Sequence, residues 1–207
     1  MTTWAVLPVK PFCRGKSRLS DCLEADELIA LNRFLFEQTF HKLRASDGID
    51  KVVVVSQDDQ ALDFARINGG IALTENAESS LNAAVAQALQ FVSTTEPGRV
   101  LILPADLPLM TSEDLEALLT IETAERAMVI VPDTRQLGTN AILLSHATML
   151  KPQFGRRSFQ KHTRQATSNG VELIVWLNDN IQRDLDTPQD FSFYNKINLQ
   201  PIQILKE

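Results

Sequence analysis

Lys10, Arg14, Lys16 and Arg18 put four cations within nine residues, and the first acid of the chain is Asp21. The chain as a whole is acidic, with a net charge of −6 over 207 residues. Lysines supply point charges and arginines forked donors, a combination that suits a polyphosphate. Gly15-Lys16-Ser17 looks like the end of a phosphate-binding P-loop, but that motif needs a glycine five positions before Gly15. Lys10 stands there instead, so a side chain fills the bend where the backbone must wrap the phosphate. A P-loop NTPase is excluded. A solvated basic face is the plainer alternative for this loop.

The acids fall elsewhere. Asp106 lies between Pro104 and Pro108 with apolar neighbours, and the prolines stiffen the backbone on both sides of its carboxylate. An acid aimed in this way suits Mg²⁺, which takes hard oxygens and few protein carboxylates. Asp184 and Asp186, if extended, share a face about 7 Å apart. Such a pair repels unless a cation or solvent intervenes. Thr187-Pro188 reads as a helix start, so one of these acids could be only a turn residue. Together the three acids would form the acidic half of a nucleotide-metal site, with Lys10 to Arg18 as its basic half.

Three further clusters carry polar chemistry. Ser56 and Asp58 could cap the next helix or hydrogen-bond a nucleobase, and the sequence leaves both open. Gly155 could bring a backbone amide to a ligand, and Ser158 could start a helix whose N-terminus suits an anion. Gly138 and Gly155 also read as simple turn glycines, and His162 as a helix-surface histidine. His41 and His146 show no partner pattern.

These residues need elements to position them. Trp4–Val9, Val52–Val55, Ile71–Thr74, Val100–Leu103, Met128–Val131, Ala141–Leu144 and Val171–Trp176 are apolar runs of strand length. Leu81, Ala84, Val85, Ala88, Leu89 and Val92 mark one face of a helix. Leu28, Leu31 and Leu35 mark another between about Glu24 and Arg44, and Thr111-Ser112-Glu113-Asp114 opens a third with capping residues. Strands alternating with helices imply βαβ units and a mostly parallel sheet, with ligands beyond the carboxyl ends of the strands. The sequence therefore predicts one α/β domain over 1–207, with Ile197 to Glu207 as an edge strand or arm.

Composition narrows the classes. The chain is 44% hydrophobic and 22% charged, which excludes disordered, collagen-like and coiled-coil classes. Its acidity argues against a nucleic-acid or anionic-membrane surface. No apolar run approaches a membrane span. Met1 to Pro8 reads as a strand rather than a leader, and two cysteines make neither a disulfide framework nor a zinc set. A cytoplasmic protein is expected.

The motifs together resemble the MobA-like nucleotidyltransferases and, within them, the CofC/FbiD family. Those guanylyltransferases make the phospholactyl, phosphoenolpyruvyl or phosphoglyceryl guanylyl donor for the deazaflavin coenzyme F-420. The resemblance covers nearly the whole chain. It is carried by Leu7-Pro8-Val9-Lys10-Pro11-Phe12, Lys16-Ser17-Arg18-Leu19, Val53-Val54-Val55-Ser56 before Asp58, and Leu81-Asn82-Ala83-Ala84. It continues through Pro104-Ala105-Asp106-Leu107-Pro108-Leu109, Gly138-Thr139-Asn140-Ala141, Phe154-Gly155 with Ser158-Phe159 and His162, and Asp184-Leu185-Asp186-Thr187-Pro188.

The resemblance implies a single Rossmann-like domain of the nucleotide-diphospho-sugar transferase type. It implies guanylyl transfer from GTP to the phosphate of a small phosphorylated carboxylate, with release of pyrophosphate. Asp106, Asp184 and Asp186 would hold Mg²⁺, and Lys10, Lys16 and Arg18 would neutralise the triphosphate. Leu7, Pro8 and Ser17 would adjoin the nucleotide, and Ser56, Asp58 and Asn82 would surround the nucleoside. Thr139, Gly155 and Ser158 would hold the acceptor. The family commonly has a glycine before its Leu-Asn pair, where this chain has Ser80. A downstream transferase that consumes a labile product is a further implication. Neither the acceptor nor the oligomeric state is fixed by the sequence, and a homodimer is compatible with it. The alternatives are another MobA-like nucleotidyltransferase, disfavoured because the usual Gly-rich, Arg-containing opening loop is absent, and a non-catalytic nucleotide-binding regulator on the same fold.

Overall fold

The computed structural model describes residues 1–76 and 80–197. Seven strands form one sheet: β1 (Thr3–Val9), β2 (Lys51–Ser56), β3 (Ile71–Thr74), β4 (Arg99–Ile102), β5 (Ala127–Pro132), β6 (Thr139–Leu144) and β7 (Glu172–Val175). The central strands are apolar along most of their length because both of their faces are covered. Along β1, Ala5, Leu7 and Val9 enter one core while Trp4 and Val6 enter the other. Along β2, Val52 and Val54 alternate with Val53 and Val55 in the same way.

The helices divide between these layers. Helices α1 (Ala25–Ala45), α2 (Asp59–Ile67) and α4 (Ser112–Leu119) contribute Phe36, Phe40, Leu62, Leu115 and Leu118 to one core. Helices α3 (Leu81–Thr95) and α5 (Ser158–Ser168) contribute Val85, Ala88, Val92 and Ala166 to the other. Helix α6 (Pro188–Ile197) adds Tyr194 to a third cluster with Leu31 and Leu35 of α1, Leu19 and Leu185. The expected cap of α4 is present as a reciprocal box between Thr111 and Asp114, with bonds of 3.1 and 2.9 Å. The expected edge strand or arm beyond Ile197 lies outside the described residues. Among the described residues no helix is long and apolar enough to cross a membrane.

The strand order is β3-β2-β1-β4-β6-β5-β7. Among the described residues only β6 runs against its neighbours, antiparallel to both β4 and β5, and the other pairings are parallel. Two consequences position the site. The strand order reverses between β1 and β4, which opens a crevice at their carboxyl ends. Because β6 is antiparallel and pairs Ile142 with Ile102, its first residues lie at that same edge, near Pro104 to Asp106.

Leu19 and Leu185 are fully buried, 0% and 1% exposed, and their shared cluster ties the basic loop to the acidic segment at the C-terminal end of the sheet. Leu19→Ala is expected to cost about 2–5 kcal/mol, as other truncations of buried leucines do. Urea denaturation of the full chain measures it.

Candidate active site

Helix α1 and the loops after β1 and β4 enclose a cleft of about 190 Å³ at the point where the strand order reverses. Pro8, Lys10, Gly15 and Lys16 line one wall, and Pro104, Ala105 and Asp106 the other. A second cleft of about 240 Å³ shares Pro8, Val9, Lys10 and Leu81 with it and continues past Arg14, Glu75 and Ser80. The fold thus brings Lys10, Lys16, Pro8 and Asp106 together at one edge, with Asp186 also on the wall of the first cleft.

Lys16 is the joint between the loops. Its backbone is left-handed (φ 55°), a conformation that costs a residue with a side chain about 1 kcal/mol or more. Its side chain is only 5% exposed, and Nζ stands 3.6 Å from Asp106 Oδ2 while donating to the Leu185 carbonyl. Leu185 N–H in turn donates to the Asp106 carbonyl at 2.9 Å. Gly15 has no room for a side chain, because a Cβ there would meet the Asn32 amide at 2.6 Å. That amide donates to Phe12 O at 2.8 Å and so braces the same loop.

The acids do not stand as the expected trio. Among the described residues no three acidic, histidine or cysteine side chains are grouped as a metal site. Asp186 is bonded to Arg18 at 2.7 Å, an exposed pair, while Asp184 turns inward towards Asn140. The segment 183–186 is not a strand, so the face-sharing expected from an extended chain does not by itself fix the spacing. Burial pushes the Asp184 carboxyl up to about 6, and the negative charge of Asp106 adds to the shift. Thr187 and Asp190 cap α6 reciprocally, with bonds of 2.8 and 3.3 Å, as Thr187-Pro188 implied.

Several residues assigned to the nucleotide have other structural work. Leu7 is fully buried in the core, since its position on β1 points it beneath α1 rather than into the cleft. Ser56 is also without exposure, and its Oγ accepts from Asp58 N at 2.9 Å. Asp58 caps α2 by accepting from Gln60 N and Ala61 N, and accepts from Phe12 N at 2.8 Å. Both residues therefore take the capping role, and Asp58 anchors the basic loop from below. Asn82 spends both ends of its amide on Phe154, accepting from N at 2.6 Å and donating to O at 3.2 Å. Ser80, in place of the family's usual glycine, caps α3 through Ala83 N at 3.1 Å and lines the second cleft. Ser17 is exposed and begins a single 3₁₀ turn.

The residues expected at the acceptor lie on the β6 side. Thr139 begins β6, Ser158 begins α5 and is buried, and Gly155 adopts φ +103°, where a side chain would be strained. His162 is not on the helix surface but fully buried, with Nδ1 3.2 Å from Thr139 Oγ1 and Nε2 accepting from Gln153 N at 3.0 Å. Asn140, beside Thr139, donates to Ile181 O at 3.0 Å and meets Asp184. Asn140 stood in the Gly138-Thr139-Asn140 motif without a role of its own, and Asn32 was not singled out from the sequence. For Asn32 the signal was available: it is four residues from Leu28, an amide on the apolar stripe of α1.

An α/β sheet with its cleft at the reversal of strand order is a fold shared with solved structures. The chain is similar to a Desulfovibrio desulfuricans protein described as a nucleotide-diphospho-sugar transferase, with a TM-score of 0.77 at 15% identity, covering 99% of this chain and 91% of that one. It is also similar to 4-diphosphocytidyl-2C-methyl-D-erythritol synthase, with a TM-score of 0.65 at 16% identity, covering 94% and 97%. Residues 3–194 match the family described as "Guanylyl transferase CofC like", and the chain belongs to that family. The phosphoenolpyruvate guanylyltransferase of Conexibacter woesei is 35% identical over 92% of this chain and 86% of its own length. The 2-phospho-L-lactate guanylyltransferase of Methanothermobacter thermautotrophicus is 33% identical over 92% and 82%.

The buried His162 gives a pH signature. Burial lowers its pKa from 6.5 to about 4, with nearby Lys161 adding to the shift. The unfolded chain thus takes up this proton first as pH falls, so the stabilising difference is complete above pH 6.5 and is lost between 6.5 and about 4. At 1.36 kcal/mol per pH unit the loss approaches about 3 kcal/mol. Urea denaturation between pH 7.5 and 4 is expected to show that slope in the wild type and a shallower one in His162→Gln.

Proposed function

We propose that the chain transfers a guanylyl group from GTP to the phosphate of a small phosphorylated carboxylate: phosphoenolpyruvate, 2-phospho-L-lactate or 3-phosphoglycerate. The observation that carries this reading is the cleft between β1 and β4, with Lys10 and Lys16 on one wall and Asp106 on the other, in a chain of the CofC-like family. The triphosphate lies along the lysines, and the second cleft beside Ser80 and Leu81 takes the nucleoside. The acceptor stands towards Thr139, Gly155 and Ser158.

The chemistry asks little of the side chains beyond charge and placement. An acceptor phosphate oxygen is already an anion and attacks the α-phosphorus of GTP without a general base. The bond from the α-phosphorus to its bridging oxygen breaks, and pyrophosphate leaves with that oxygen. Repulsion between nucleophile and triphosphate is the barrier, and Lys10 and Lys16 offset it as donors already in place. Arg18, 70% exposed and paired with Asp186, contributes at the rim. No Ser/His/Asp or Cys/His arrangement is needed.

The donor set fits a hard divalent cation. Burial and the nearby Asp106 charge raise the cost of ionising Asp184, and a cation beside it removes that cost. Two carboxylates also leave coordination positions for phosphate oxygens and water, as Mg²⁺ prefers. Asp106 and Asp184 would hold Mg²⁺, with Asp186 reaching the same edge from its pair with Arg18. When bound, Mg²⁺ supplies charge neutralisation at the phosphate oxygens. The resemblance supports a product used in coenzyme F-420 biosynthesis and passed on to a transferase that consumes it.

The test is pyrophosphate release from GTP, Mg²⁺ and each acceptor in turn, with ATP and CTP as controls. Release with GTP and at least one acceptor is expected, and chelation of the metal is expected to stop it. No release with any pair contradicts the reading. Lys16→Ala and Asp106→Asn are each expected to lower kcat/KM by on the order of 100-fold or more. Arg18→Ala is expected to lower it less, because its charge is already screened by solvent.

A further inference from the structure

His162 is a neutral, fully buried imidazole with both ring nitrogens committed. Nε2 accepts from the backbone N–H of Gln153 at 3.0 Å, so it carries no proton. The single proton of the neutral ring therefore sits on Nδ1 and is donated to Thr139 Oγ1 at 3.2 Å. A hydroxyl that accepts from a ring nitrogen keeps its own proton free for another acceptor. Thr139 opens β6 at the site edge and is partly exposed there.

The same ring controls the turn beside it. Phe154 packs against the imidazole edge, with ring centroids 4.9 Å apart and planes at 69°. Asn82 takes both backbone groups of Phe154, so consecutive residues 153 and 154 are held by side chains from α5 and α3. Gly155 follows at φ +103°, with no atom within 4 Å of the place a Cβ would take. The turn is thus fixed from behind and open in front.

We infer that His162 is a positioning residue for the acceptor. Through Nδ1–H it sets the Thr139 hydroxyl as a donor, and through Nε2 it holds the turn that presents the Gly155 backbone, both towards the anionic groups of the incoming phosphorylated carboxylate. This rests on the proposed guanylyl transfer for the identity of that acceptor. The lowered pKa of the ring supports it, because a protonated ring would have no acceptor for Gln153 N–H.

The two ring bonds can be separated. His162→Asn keeps an amide donor where Nδ1 stands, and His162→Gln keeps an amide acceptor where Nε2 stands. Steady-state kinetics on the full chain with phosphoenolpyruvate or whichever acceptor the wild type uses should show a split. His162→Gln and Thr139→Val are each expected to raise KM for the acceptor about tenfold, the scale of one hydrogen bond to a charged group. KM for GTP should stay unchanged, and the double variant should rise no further than either single one. His162→Asn, which keeps the donor to Thr139 but loses the acceptor for Gln153 N–H, should raise KM for the acceptor through the turn alone and leave KM for GTP unchanged.

Acceptor and GTP KM values that move together in every variant, or do not move at all, overturn the inference. Tautomer assignment by long-range ¹H–¹⁵N NMR of the wild-type ring gives a readout independent of turnover. A proton on Nε2 instead of Nδ1 also overturns it. A wild type inactive with every acceptor overturns the functional reading instead, and the two failures are thereby distinguished.

Discussion

The site depends on one buried ammonium. Lys16 Nζ reaches the Asp106 carboxylate and the Leu185 carbonyl from a side chain that water scarcely touches. A cation taken out of water costs several kcal/mol unless its partners are in place. The loop after β1, the loop after β4 and the segment before α6 must therefore arrive together. Leu185 satisfies two demands at once: its carbonyl accepts from Lys16, and its N–H donates to Asp106 O. The buried Leu19–Leu185 contact closes the same joint with apolar surface. The left-handed backbone at Lys16 is the strain this arrangement sustains, and it aims the lysine across the crevice rather than into solvent.

Charge of both signs is thereby held close without being cancelled. Asp184 bears the cost, buried beside Asp106 with a backbone N–H and Asn140 to soften it. A fold built for stability alone would not keep that carboxyl there. Burial and a like charge together move that carboxyl towards neutrality. The edge at the start of β6 has the opposite character: neutral donors, an imidazole kept unprotonated and a turn held by Asn82.

The fold was largely legible because both cores are covered. The valines of β2 and the Trp4–Val9 run could only be strands buried on two faces, and Thr111 with Asp114 carries its cap in local spacing. The direction of β6 was not legible. Its apolar run reads the same either way, and yet the reversal is what delivers Thr139 and Asn140 to the site edge. Charge type and strand-end position suffice to bring Lys10, Lys16 and Asp106 to one cleft. The hydrogen bonds of Asp58 to Phe12 and of Asn82 to Phe154 were not legible, because those partners are distant in sequence. His162 looked superficial for the same reason: only packing against Gln153 and Thr139 reveals it as interior.

A structure of the full chain with Mg²⁺ and a non-hydrolysable GTP analogue tests the central claim most directly. The account predicts the triphosphate along Lys10 and Lys16 between Pro8 and Pro104, with the guanosine beside Ser80 and Leu81. A nucleotide seated elsewhere, such as the cavity lined by Arg183, Gln189 and Phe193, with Lys16 still closed on Asp106, would contradict it.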